Sequence, residues 1–186
     1  NPSATTTYTV TITNNGCPDV LTSTITVNPL PTPAITAAET SGTANNDGII
    51  CNGASVVLTA TGGGTYAWSP GGATTASITV NPSTTTTYTV TVTNANNCSA
   101  TATFTISVNA LPTAGTTVAE TSGTTANDGI ICTGASVVIT GTGGTSYLWS
   151  PGGATTASIT VSPTSTTTYT VAVTNANNCT ATATRT

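Results

Sequence analysis

The stretch TTTTYTVTVTNANNC, residues 84–98, alternates apolar side chains with threonine and ends on a cysteine. Its tyrosine and two valines occupy every second position, so they lie on one face of an extended strand. Nearly the same stretch occurs at residues 5–17 and again at residues 165–179. The pattern therefore predicts β-strands arranged in an internal repeat.

The sequence predicts an 81-residue repeat, which the cysteines and aromatic residues mark most clearly. The pairs that share this separation are Cys51 and Cys132, Trp68 and Trp149, Tyr88 and Tyr169, and Cys98 and Cys179. On this register residues 32–111 form one whole module and residues 112–186 a second, whose last strand is truncated. Residues 1–31 supply the last two strands of a preceding module. The joints NPLPTP and NALPTA contain proline, which favours short, semi-rigid connections.

Within a module the hydrophobic period is two, and Gly, Asn and Pro punctuate it, so we predict strands and no helix. The strands predicted in the first full module are PAITAAE, SVVLTA, TYAWSP, ASITVNP, TTTYTVTVTN and SATATFTISVN. About 80 residues in roughly six or seven antiparallel strands, with one tryptophan on the third, fit an immunoglobulin-like β-sandwich. The predicted core aromatics are Trp68, Tyr88, Trp149 and Tyr169.

Three features together carry a resemblance: ICNGASVVLTATGG, YAWSPGGATTASITVNPSTTTTYTVTVTN, and a cysteine after the turn. They resemble the tandem Ig-like or PKD-like modules of giant cell-surface proteins of the Bacteroidetes, including gliding-motility adhesins exported by the type IX secretion system. The resemblance covers the whole chain. It implies an exported, extracellular location at the cell surface and a role as repeats of a long chain.

The polarity of the chain is neutral rather than ionic. Of its 186 residues 52 are threonine, one is basic and five are acidic, and the net charge is −4. The threonine hydroxyl makes a surface polar without adding charge, and its branched Cβ favours the β-strand conformation. With Arg185 as the sole basic residue, binding to nucleic acid or anionic membranes is not expected. No apolar run approaches the ~18 residues that span a bilayer, and five cysteines indicate oxidising surroundings.

The residue inventory argues against catalysis and against a cofactor. The chain has no His and no Lys, so Ser-His-Asp, Cys-His and Schiff-base chemistry are excluded. Two loops, ETSGTANNDG and ETSGTTANDG, carry paired acids. They supply the calcium candidates Glu39, Asn45, Asp47, Glu120 and Asp128. Two carboxylates fall short of the usual 6–8 oxygen ligands of calcium, so we expect turns held by side chains and no metal.

The cysteines allow two pairings. In immunoglobulin topology Cys51 and Cys98 lie at opposite poles, roughly 20 Å apart, whereas a disulfide needs Cα atoms within about 7 Å. The pole that bears Cys51 meets the next module at the turn that bears Cys179. We therefore expect a bond between modules, Cys51 with Cys179, and partners for Cys98 and Cys132 outside residues 1–186. The alternative keeps both bonds within modules, Cys51 with Cys98 and Cys132 with Cys179.

These features predict a structural or adhesive protein, a filament or stalk of Ig-like modules stiffened by disulfides. Its partners would be other modules of the same long chain, laterally associated copies, or surface glycans. Two alternatives stay open. One is an array whose polar loops GGGTYAW, SPGGATT and NANN bind glycans, and the other is a non-catalytic spacer of a secreted enzyme.

Overall fold

The computed structural model describes residues 1–42, 44–123, 125 and 127–186; Thr43, Thr124 and Ala126, within the two acidic loops, lie outside the described residues. The chain is 51% strand, and its described residues contain no helix. The all-β prediction is confirmed. The strands, in chain order, are β1 (Thr6–Asn14), β2 (Cys17–Ile25), β3 (Ala34–Glu39), β4 (Ile49–Cys51), β5 (Val56–Thr61), β6 (Thr65–Ser69), β7 (Ser77–Val80), β8 (Thr86–Thr93), β9 (Ser99–Asn109), β10 (Gly115–Glu120), β11 (Val137–Thr142), β12 (Ser146–Ser150), β13 (Ser158–Val161), β14 (Tyr169–Thr174) and β15 (Thr180–Arg185).

The described strands assemble into several small sheets. Their strand orders are β1-β2, β3-β5-β7, β4-β9-β8-β6, β10-β11-β13 and β12-β14-β15. All six strands predicted in the first full module are present as β3 and β5–β9. The short strand β4 was not predicted, and it pairs with β9 in parallel.

The chain divides into two compact units. The first contains residues 1–36, 58–78 and 87–104. In it β1 and β2 form a hairpin around Asn15 and Gly16, which have φ angles of 49° and 80°. Positive φ at both central positions is what a tight hairpin turn of matching twist requires, and Asn and Gly tolerate it best.

The buried side chains of the first unit follow the predicted alternation. Strand β6 pairs with β8 so that Trp68 lies opposite Val90. Trp68 is 2% exposed and Tyr88 6%, and the valines at 90 and 92 are fully buried. Because these side chains alternate with threonine along β8, one face of the strand is apolar and the other polar.

The second unit contains residues 37–57, 79–86 and 105–186. One hydrophobic cluster in this unit joins side chains from the sheet β10-β11-β13 with side chains from the sheet β12-β14-β15. The buried members are Val137, Ile139, Trp149, Val171 and Val173. Tyr169, the fourth aromatic predicted in the core, is half-buried and packs against this cluster.

Candidate functional site

A disulfide in the second unit joins Cys51, the last residue of β4, to Cys179, which precedes β15. The Cα atoms are 5.5 Å apart and the cysteines are 128 residues apart in sequence. Both are buried, Cys51 at 6% exposure and Cys179 at 0%. This is the first of the two pairings that the sequence left open. The second pairing is not formed, because Cys98 and Cys132 carry free thiols, as does Cys17.

Backbone pairing fixes the position of Cys51. Strand β4 runs parallel to the end of β9, with Ile50 opposite Val108 and Cys51 opposite Asn109. The next amide, that of Asn52, donates to the carbonyl of Asn109 at 2.8 Å. These bonds hold Cys51 beside the start of the segment from Asn109 to Thr113, which we call the linker.

An asparagine-rich turn fixes the position of Cys179. The Oδ1 atom of Asn175 accepts hydrogen bonds from the amides of Asn177 and Cys179, at 3.0 and 3.1 Å. Asn178 adopts a left-handed φ of 57°, a conformation that asparagine tolerates better than most residues. The turn therefore presents Cys179 in one orientation, through its own side chains.

The same asparagine also binds the linker. The Nδ2 atom of Asn175 donates to the carbonyl of Ala110 at 3.0 Å. The carbonyl of Thr113, at the other end of the linker, lies against Gly143, where any Cβ would clash with it. Gly143 also has φ +99°, which favours glycine. A disulfide, a hydrogen bond and a glycine contact thus surround one short linker.

Corresponding contacts occur in the first unit, around the earlier copy of NANNC. Asn94 Nδ2 donates to the carbonyl of Pro29 at 2.9 Å. The carbonyl of Thr32 lies against Gly62, which has φ +103°. Cys98 is placed by Asn94 in the way that Cys179 is placed by Asn175, through an amide bond to Oδ1 at 3.1 Å. The roles of the two asparagines and the two glycines were not predicted, although these residues recur in the sequence within NANNC and TGG.

The calcium candidates serve as backbone acceptors in their own loops. Glu39 accepts from the amides of Asn46 and Gly48, at 2.6 and 3.0 Å. Asp47 accepts from the amide of Ile49 at 2.8 Å. Among the described residues no group of three or more His, Cys, Asp or Glu could hold a metal ion. The loop geometry fits a side-chain-held turn.

The second acidic loop repeats this arrangement. Glu120 accepts from the amides of Asn127 and Gly129, and Asp128 from the amide of Ile130. Asn45, the remaining candidate, is exposed in the first loop.

The polar loops considered for glycan binding are closed by internal hydrogen bonds. Trp68 Nε1 donates to the carbonyl of Thr75 at 2.9 Å, across SPGGATT. Tyr66 donates its hydroxyl proton to the carbonyl of Gly63 at 3.1 Å, within GGGTYAW. In NANN the side chain of Asn94 is engaged by the turn and by Pro29. These polar groups therefore make hydrogen bonds within the protein itself.

A cleft of about 480 Å³ lies in the second unit, beside the end of β15. Its apolar wall includes Val118, Ile139 and Tyr169, and Arg185 lies at its edge. Arg185 donates from Nη2 to the carbonyl of Asn127 at 3.2 Å, while its buried Nε has no partner among the described residues. No structural role for Arg185 was predicted from the sequence.

No family model matches the chain, and no curated protein matches it. Across the described residues there is no helix of the length and apolarity needed to cross a bilayer.

Proposed function

We propose that the chain is a structural or adhesive repeat region of a secreted cell-surface filament or adhesin stalk. Its modules are immunoglobulin-like sandwiches with an 81-residue repeat, as in the giant Bacteroidetes surface proteins that the sequence resembles. Its work is to carry tension and to hold length at the cell surface. It performs no catalysis and requires no cofactor in this role.

The observation that carries the proposal is the position of the Cys51–Cys179 bond. The bond encloses residues 52–178 in one covalent loop, and the linker from Asn109 to Thr113 lies inside that loop. When the chain is pulled from its two ends, the shortest covalent path passes through the two sulfur atoms. The linker and the strands inside the loop are bypassed and cannot be drawn out while the bond is intact.

Matching contacts in successive copies support a repeat of equivalent modules. Trp149 Nε1 donates to the carbonyl of Thr156 at 3.0 Å, as Trp68 does to Thr75. Tyr147 donates to the carbonyl of Gly144 at 3.0 Å, as Tyr66 does to Gly63. Each contact recurs one repeat later. Such repetition suits an array in which each module is built and joined in the same way.

The surface chemistry supports an inert role over a recognition role. Threonine hydroxyls pair with serine hydroxyls across exposed strands, as Thr59 does with Ser77 and Thr140 with Ser158. The polar loops that would have to contact a glycan are hydrogen-bonded internally. These observations favour the filament or stalk over the glycan-binding array.

The test is to stretch single chains by their termini with and without a reductant. The proposal expects the oxidised chain to reach a much shorter full extension than the reduced chain. Equal extensions would remove the tensile role.

A further inference from the structure

The hairpin formed by β1 and β2 has one apolar face that is exposed to solvent. Because Val10 pairs with Leu21 and Thr6 with Ile25, the side chains of even-numbered β1 residues share a face with those of odd-numbered β2 residues. We call this the open face; its apolar members are Tyr8, Val10, Ile12, Leu21 and Ile25, each between 46% and 55% exposed. The opposite face is rich in threonine, with Thr7 Oγ1 3.0 Å from Thr24 Oγ1.

The chain contains the same hairpin in a covered form. Strands β14 and β15 place Tyr169, Val171 and Val173 at the positions that Tyr8, Val10 and Ile12 occupy in β1. Val171 and Val173 are fully buried. They pack in one cluster with Trp149 and with apolar side chains of β11.

The strands that bury Val171 and Val173 therefore show which kind of segment can pack against the open face. The cover is the half of a module that precedes its hairpin, with valine and isoleucine on β11 and an inward tryptophan on β12. A second copy of this chain does not offer such a cover. Its Trp149, Val137 and Ile139 are already buried under its own β14, and its Trp68 is 2% exposed.

We propose that the open face is a docking surface for a half-module of the type of residues 32–80. Such a segment carries strands like β3, β5, β6 and β7, with a tryptophan at the position of Trp68. It would bury Tyr8, Val10 and Ile12 as Val171 and Val173 are buried in the second unit. The exposure of these side chains, rather than the tensile role, carries this inference.

The repeat shows where a covering segment can be joined to the hairpin in the correct register. Asn1-Pro2-Ser3 repeats Asn81-Pro82-Ser83, the segment that leads from β7 toward β8. Residues 32–80 can therefore be joined directly ahead of Asn1 in the full 186-residue chain. Hydrogen exchange of the β1 and β2 amides is then compared between the extended and the unextended chain.

The extended chain should slow exchange in β1 and β2 by about 100-fold or more, because the hairpin becomes part of a core. Val10→Asp on the open face should abolish that protection. Thr9→Asp, one residue away on the threonine face, should leave it intact. Exchange in β11 and β14 reports that the remainder of the chain is folded in every variant.

Three results would overturn the proposal. The first is unchanged exchange in the extended chain with β11 and β14 still protected. The second is an equal loss of protection in the two aspartate variants, which would show that the face plays no part. The third is a stable dimer of the unextended chain in sedimentation velocity, with β1 and β2 protected, because a second copy would then be the occupant. None of these results alters the extension of a chain pulled across Cys51–Cys179.

Discussion

Breaking the Cys51–Cys179 bond should release a large and countable length of chain. The bond spans 128 residues, and an extended residue contributes about 3.4 Å, so the enclosed segment holds about 430 Å of contour length. The rest of the 186-residue chain lies outside the loop and contributes about 200 Å at the same spacing. An oxidised chain pulled by its termini should thus stop at about 200 Å, and a reduced chain should reach about 630 Å.

Single-molecule force spectroscopy with handles at both termini measures this difference directly. The oxidised wild-type chain, the same chain in reductant and a Cys51→Ser variant are stretched until no further rupture occurs. Cys51→Ser should behave like the reduced wild type. Cys98→Ser is the matched control, since Cys98 carries a free thiol, and it should keep the short extension.

The result also separates the two pairings. Bonds from Cys51 to Cys98 and from Cys132 to Cys179 would each enclose about 47 residues, so reduction would release about 320 Å in total. An increment of that smaller size, or no increment, would refute the pairing of Cys51 with Cys179 and the load path that follows from it. The bond that is present should also stabilise the folded chain, because closing a loop of this size destabilises the unfolded state by about 5 kcal/mol at 25 °C through lost entropy.

Three further predictions concern stability. Trp149→Ala should lower the free energy of unfolding by about 3–5 kcal/mol in urea titrations. Leu148→Ala truncates a side chain that is 54% exposed, so it should change that free energy little. Equal losses in the two variants would place Trp149 outside the core. Burial raises the pKa of Tyr88 above 10.0, so the unfolded state loses its phenolic proton first. The melting temperature should therefore fall as the pH rises above about 10. Tyr88→Phe should weaken that fall, and an unchanged alkaline slope in this variant would contradict the assignment. Adding calcium and then a chelator should leave the melting temperature unchanged. Glu39→Ala leaves the amides of Asn46 and Gly48 without their acceptor, so it should lower the free energy of unfolding by about 1 kcal/mol in either buffer. Stabilisation by calcium that disappears in this variant would instead indicate a metal site.

Local alternation made most of the strands predictable. In β8, threonine alternates with Tyr88, Val90 and Val92, and all three lie inside. Glycine, asparagine and proline marked where strands end. Strand β4 escaped prediction because so short a strand carries no periodic signal, and its partner β9 comes much later in the chain. Such pairing depends on the tertiary arrangement rather than on local propensity.

Long-range contacts of the linker were equally hidden. The turn NANN could be predicted as a turn from its composition, yet nothing local shows that Asn175 reaches Ala110, 65 residues away. The sequence also did not show whether the apolar face of a strand is buried. The stretch TTTYTV occurs identically at residues 5–10 and 166–171, but Val10 is 53% exposed and Val171 fully buried. A pattern specifies which face of a strand is apolar, and the neighbouring strands decide whether that face is covered.

The two cysteine pairings differ in which part of the chain each bond encloses. Bonds from Cys51 to Cys98 and from Cys132 to Cys179 would enclose residues 52–97 and 133–178, and would leave the linker outside both covalent loops. In the linker Pro112 is buried but Leu111 is 45% exposed. The segment is held by hydrogen bonds from Asn52 and Asn175 and by the contact with Gly143. Each of these hydrogen bonds contributes only about 1 kcal/mol, so non-covalent contacts hold the linker weakly. A covalent bond from Cys51 to Cys179 places the linker inside a closed loop, so the linker does not carry the load when the chain is pulled by its two ends.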